Sequence, residues 1–235
     1  MNWKTLLATC LIATLPLGCD SDGDDDHDAD TEHHHDTEGD SDESEGHDTE
    51  HDHGETELIT TVTLTFTSDT ADTVTAAFSD PDGDGGMSGS SDPVVLAPDT
   101  TYALSVEFTN ELEQPAEDIT EEVREEAEEH QVFIYGSSVT GPASMGDGLL
   151  THAYTDLESD YTENTVGDDL PVGLVSSITT GAASTETGEL EVMLRHLPDV
   201  NGNPVKTSDL SAVLAAGDAL PGDVDANVHF DVTVQ

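Results

Sequence analysis

From Leu58 to the C-terminus, apolar residues recur at every second position in one segment after another. Val62, Leu64 and Phe66 share a parity, with threonines between them. So do Val74, Ala76 and Phe78; Tyr102, Leu104, Val106 and Phe108; Leu190, Val192 and Leu194; and Val228, Phe230, Val232 and Val234. Successive side chains of a strand point to opposite faces, so this period predicts strands with one buried face each. Less regular apolar runs at residues 94–97, 131–136, 150–154 and 172–179 predict further strands. Turn-rich stretches separate them. About nine strands over residues 58–235 predict a mainly β domain, an antiparallel sandwich.

One segment departs from the strand pattern. Residues 116–130 carry strong helix formers after Pro115, with Asp118 or Thr120 placed to cap the start. Ile119, Val123 and Ala127 fall at i, i+4 and i+8, a thin stripe suited to a single helix lying laterally across a sheet edge. Acids in its first turn suit the helix dipole, and those in its last turn oppose it. A second short helix is predicted at 208–216. An internal echo adds a further expectation. Phe78, Ser79, Asp80, Asp82 and Asp84 match Tyr154, Thr155, Asp156, Glu158 and Asp160 in type and spacing, and each set precedes a proline, a short apolar run and a long alternating strand. The echo predicts two related halves, one per sheet or as two small sandwiches, against chance similarity in an acid-rich chain.

Before Leu58 the composition is of another kind. Residues 1–18 read as an export signal: Lys4, an apolar run from Leu6 to Leu17, then Gly18 before Cys19. The run is too short to span a bilayer. Cys10 lies inside it, and no cysteine follows Cys19, so no disulfide is expected. A lone cysteine after a small residue at a signal's end resembles the bacterial lipobox, departing from it at Pro16, where leucine is usual. The resemblance implies cleavage before Cys19 and acylation of that residue, a stable membrane anchor at roughly 0.8 kcal/mol per buried CH₂.

Residues 19–57 then form a tether. Asp, Glu, His, Ser, Thr and Gly dominate it, and no large apolar residue occurs between 20 and 56. Such a segment cannot offset its ordering entropy by burial, so a disordered, charge-extended spacer is expected. The whole chain has 53 acidic against 4 basic residues and a formal charge of −49. That field repels nucleic acid and anionic lipid and favours cations and basic proteins.

Three residue groups are candidates for binding chemistry. Asp80, Asp82 and Asp84, with Gly83 and Gly85, resemble the first half of an oxygen-ligand Ca²⁺ loop. The twelfth position is Ser91 rather than glutamate, so this is not an EF-hand, and a plain hairpin turn is the competing reading. Asp156, Glu158 and Asp160 form a weaker counterpart without the glycines. Seven of the eleven histidines lie in the tether: His27, His33, His34, His35, His47, His51 and His53. Imidazole among carboxylates suits Zn²⁺, Ni²⁺ or Cu²⁺, either for capture or as an incidental property of a hydrophilic spacer. His130, His152, His196 and His229 read as structural, with nothing in the order of residues to join them. The motifs of cysteine and serine nucleophiles, phosphate loops and zinc proteases do not occur, and no enzyme is expected.

Residues 102–112 and 115–131, the 80–86 loop, Pro171 to Leu174, Thr179 to Ala183 and Phe230 to Gln235 together resemble a family of envelope lipoproteins of unknown function. Its members occur in Bacteroidetes and other Gram-negative bacteria and are labelled "type 1 periplasmic binding fold superfamily protein". That label denotes a parallel α/β fold, whereas the alternation here predicts antiparallel strands. The resemblance implies an outer-membrane protein, on its periplasmic face or at the cell surface, and supplies no catalytic residues. The expectation is a lipid-anchored, non-enzymatic binding or scaffold module for an envelope protein partner, its Asp loops stabilised by Ca²⁺. The alternative is transition-metal capture by the tether to feed an uptake system.

Overall fold

A computed structural model describes residues 57–235 apart from 86, 87, 147 and 166. The signal segment, Cys19 and the seven tether histidines therefore lie outside the described residues. No helix among the described residues is long and apolar enough to cross a membrane.

Twelve strands and two helices follow in the order β1 (Thr61–Thr67), β2 (Val74–Ser79), β3 (Ser90–Ser91), β4 (Val94–Leu96), β5 (Thr101–Thr109), α1 (Ile119–Glu125), β6 (His130–Tyr135), β7 (Val139–Gly141), β8 (Ser144–Met145), β9 (Leu150–Tyr154), β10 (Val175–Thr180), β11 (Gly188–His196), α2 (Leu210–Ala215) and β12 (Asp223–Val234). Eight form one sheet in the order β3-β2-β1-β5-β10-β9-β7-β8, and four form the other as β4-β12-β11-β6. The alternating residues named above line the inner faces. Val62, Leu64, Phe66, Tyr102, Leu104 and Phe108 from one sheet meet Leu190, Val192, Phe230, Val232 and Val234 from the other in one shared core. Threonine suits the outer positions because its branched side chain fits an extended backbone.

Burial also explains the less regular strands. β6 is covered on both faces: Val132 and Ile134 face the shared core, while Phe133 packs with Met193, Leu197 and Leu210 in a second, smaller cluster roofed by α2. A strand buried on both sides reads as a continuous apolar run rather than an alternation. Residues 172–174 are buried but do not extend β10, because Gly173 takes a positive φ of 87° and turns the chain.

Four expectations need correction. The sandwich is not wholly antiparallel: β4 pairs with β12, and β7 with β9, in parallel. The very short β3, β7 and β8 were not legible as strands. The lateral helix spans Ile119–Glu125 and not 116–130. Asp118 caps it as expected, accepting from the Thr120 amide at 3.1 Å, and Ile119, Val123 and Ala127 are fully buried. Thr120 fastens its start to β5, its hydroxyl accepting from the Phe108 amide at 2.8 Å and donating to the Phe108 carbonyl at 3.1 Å. After Glu125 the chain leaves the helix, so that His130 begins a strand instead of ending the helix. Finally, the echo does not divide the molecule by sheet, nor into two sandwiches. β2 and β5 share a sheet with β9, while β11, the counterpart of β5, lies in the other, and one core serves both.

Candidate functional site

The Asp80 loop continues β2 directly. The Asp80 amide donates to the Thr60 carbonyl at 2.7 Å, and the Gly83 amide closes a turn onto the Asp80 carbonyl at 3.3 Å. Proline at the second position and glycine at the fourth suit that turn. Gly83 and Gly85 take φ of 64° and 80°, a region costly for other residues. The result folds the aspartates together: one carboxylate oxygen from each of Asp80, Asp82 and Asp84 lies within 4.8 Å of the others. Asp80 is buried, and the other two are exposed. Ser88 faces all three. Its hydroxyl donates to Asp82 Oδ1 at 2.8 Å and lies 3.4 Å from Asp80 Oδ1, and its amide donates to Asp84 Oδ1 at 3.2 Å. The Ser88 hydrogen bond holds the Asp82 carboxyl below the usual carboxylate range. Alternate oxygens converging from one loop are the donor set of a hard cation.

The loop forms the rim of a cleft of about 790 Å³ between the two sheets. Phe78, Ser90 and Ser91 line one side, and Ala226, Val228 and His229 the other. Its volume lies in the ordinary range for a ligand cleft. Residues 223–231 of β12 pair with β11 on one side, whereas β4 reaches only Val232–Val234 on the other. The cleft therefore runs along a stretch of β12 that no strand pairs with on that side. Ser91 touches this edge, its hydroxyl donating to the His229 carbonyl at 2.5 Å. Glu57, Asp225 and Asp231 make the walls acidic.

The second acidic turn has a different fate. Asp156 accepts from the Gly173 and Val175 amides, both at 2.9 Å, and from the Tyr161 hydroxyl at 2.8 Å. Glu158 pairs with Lys206 Nζ at 2.7 Å, both buried, and accepts from the Leu170 amide at 3.2 Å. Asp160 accepts from the Leu157 amide at 2.8 Å. These acids do not converge as a metal-ligating group. Backbone amides and a lysine hold these carboxylates, where a Ca²⁺ ion was expected at Asp156, Glu158 and Asp160.

The four domain histidines also separate. His229 is exposed on the cleft wall. His152 is buried, with Nε2 3.0 Å from the Ser176 hydroxyl and its ring edge-on to Tyr154, and burial pushes its pKa down to about 4. His130 and His196 are direct cross-strand neighbours at the ends of β6 and β11. Their rings stack at 4.7 Å, 5° from parallel. His130 Nδ1 lies 3.2 Å from the Glu126 carbonyl and 3.9 Å from Glu126 Oε2, and His196 Nε2 lies 3.7 Å from Glu129 Oε2. Burial, reinforced by His196, lowers the His130 pKa to about 4, so the ring is neutral at pH 7. Reading residues 116–130 as one helix hid this pair. The signal that finds it is antiparallel pairing of the apolar run after His130 with the strand ending at His196.

Compared with known proteins, the chain matches no family model, no curated protein and no solved structure.

Proposed function

We propose that this chain is a lipid-anchored envelope protein, held to the outer membrane through acylated Cys19, whose sandwich is a non-enzymatic binding module for a partner protein. The reading rests on one observation, the acid-walled cleft along the unpaired stretch of β12. A bare strand edge recognises an extended segment by adding it as a further strand, and acidic walls select a cationic one. Ca²⁺ at Asp80, Asp82 and Asp84 would stiffen the rim without taking part in chemistry. The export signal and the resemblance to envelope lipoproteins support the location. Metal capture by the tether histidines is the rival reading and is carried by sequence alone.

The test is titration of the full chain with a synthetic peptide alternating lysine and valine, and with its glutamate counterpart. Ser90 is exposed on the cleft wall, so Ser90→Trp fills the cleft without touching the core. The expected result is binding of the lysine peptide alone, weakened at least about tenfold by Ser90→Trp, or about 1.4 kcal/mol. Equal binding by the variant would assign the affinity to the diffuse charge of the chain and overturn the reading. Mass spectrometry of the membrane-extracted protein tests the anchor: a mature chain starting at diacylated Cys19 is expected, and an unmodified Cys19 refutes it.

A further inference from the structure

Among the described residues, six buried side-chain atoms lack a hydrogen-bond partner. Two of them, His130 Nε2 and His196 Nε2, belong to the stacked pair, and the Asp225 carboxylate, near His196, also interacts with the Glu57 main chain. A buried polar atom without a partner costs about 1–3 kcal/mol, so such atoms seldom gather by accident. Asp225 is there because of a β-bulge. Leu194 faces Ala226 and Arg195 faces Val224, which leaves Asp225 without an opposite residue on β11. Bulges re-aim a side chain in this way.

The two imidazoles are joined by a carboxylate. One ligand atom each from Glu126, His130 and His196 lies within 4.8 Å of the other two. The Glu126 carbonyl can only accept, so the 3.2 Å contact puts a proton on Nδ1 and makes Nε2 the nitrogen available to offer a lone pair. Metal-ligating histidines are oriented by this kind of outer hydrogen bond. A small acidic pocket of about 170 Å³ is lined by Glu125, Glu126, Glu128 and Glu129, and two of these four acids, Glu126 and Glu129, also contact the histidines.

From this convergence we infer a second binding site, built from three residues that do not line the cleft: Glu126, His130 and His196 chelate a divalent transition-metal ion of the Zn²⁺ type. Two imidazoles and a carboxylate favour such an ion over Ca²⁺ or Mg²⁺, which prefer oxygen alone. Ligands around a zinc ion at bonds of roughly 2.0 Å stand about 3.3 Å apart, so the cluster closes by up to about 1.5 Å on binding and the parallel rings tilt. Glu129, already beside His196, is placed to complete the coordination. The bound ion would tie the turn after α1 to the start of β6 and the end of β11.

The test must silence the tether, whose histidines also bind such ions. In the full chain with His27, His33, His34, His35, His47, His51 and His53 replaced by serine, Co²⁺ and Zn²⁺ are titrated against a chromogenic chelator. One equivalent should bind, with visible Co²⁺ bands of a four-coordinate site, and excess Ca²⁺ should not displace it. His196→Asn and the gentler Glu126→Gln should each weaken Zn²⁺ binding by more than the ~10–100-fold that loss of an outer partner causes. Circular dichroism matching the parent shows that each variant folds. Absence of the equivalent in the folded serine chain, or unchanged affinity in folded Glu126→Gln, overturns the site.

Discussion

Two turns of this protein are alike as strings and unlike as physics. Asp80, Asp82 and Asp84 follow an aromatic strand residue at alternate positions, and so do Asp156, Glu158 and Asp160. In the first, two of three carboxylates face water, and Ser88 donates to Asp82 and Asp84 and lies 3.4 Å from Asp80. In the second, Asp156 and Glu158 are buried, and the chain supplies three backbone amides, a tyrosine hydroxyl and the ammonium of Lys206. Lys206 is the only lysine beyond Lys4, and it also donates to the Ala127 carbonyl at 2.8 Å. An acidic turn is open to an external cation only where the fold does not provide an internal one. In a chain with 53 acids, that supply of donors is more informative than the acids themselves.

The sharpest way to break this comparison is to remove the internal cation. Lys206→Met leaves the buried Glu158 charge without its partner, which should cost about 3–5 kcal/mol in stability. Chemical denaturation of the full chain measures it. A loss under 1 kcal/mol would mean that the amides alone hold Glu158 and that the lysine is incidental. Next in size, Asp156→Asn offers an amide group where two backbone donors and Tyr161 need acceptors, and should cost roughly 3 kcal/mol.

Calcium divides the two turns in the opposite direction. At a hundredfold excess over its dissociation constant, Ca²⁺ bound only to the folded protein stabilises it by about 2.7 kcal/mol, a rise of several degrees in Tm. Asp82→Asn should abolish most of that rise while leaving the melting point in chelator nearly unchanged, because Asp82 is exposed. Asp156→Asn should lower the melting point in chelator and keep the rise. If Asp82→Asn retains the Ca²⁺ response, the first turn is a hairpin like any other.

The difference between the turns was not legible in the sequence, whereas the strands were. Alternation needs only local information, and Val62-Leu64-Phe66 or Val228 to Val234 declare their buried face without reference to any partner. Lys206 lies 48 positions from Glu158 in the chain. No local pattern announces that the loop before α2 brings it there. The end of α1 failed for a related reason. Glu, Ala and Arg favour helix through residue 129, but the pairing of β6 with β11 claims His130 and ends the helix early. That same pairing brings His130 to His196, so one misplaced boundary concealed both the strand and the histidine pair.

A third acidic cluster extends the comparison to the smallest effect. Glu122 on α1 faces Glu57, Glu117 and Glu126, with neither a lysine nor a converged cation loop to relieve it. Burial, then repulsion from these neighbours, raises its pKa from 4.5 to about 7, so here the proton is the available cation. The sign follows from linkage. The folded state holds this proton more tightly than the unfolded one, so the stabilisation is full below about pH 4.5 and is lost as pH rises through 7. His130 and His152, lowered from 6.5 to about 4, run the other way, destabilising the fold as pH falls below 6.5. Comparing Glu122→Gln with the parent cancels their contribution. The variant should be the more stable at pH 8, and the gap should close by pH 5. Glu122 remains largely in contact with water, so the gap is modest. A gap that stays constant from pH 5 to pH 8 would show that the proton plays no part, and that the neighbouring acids are screened by solvent alone.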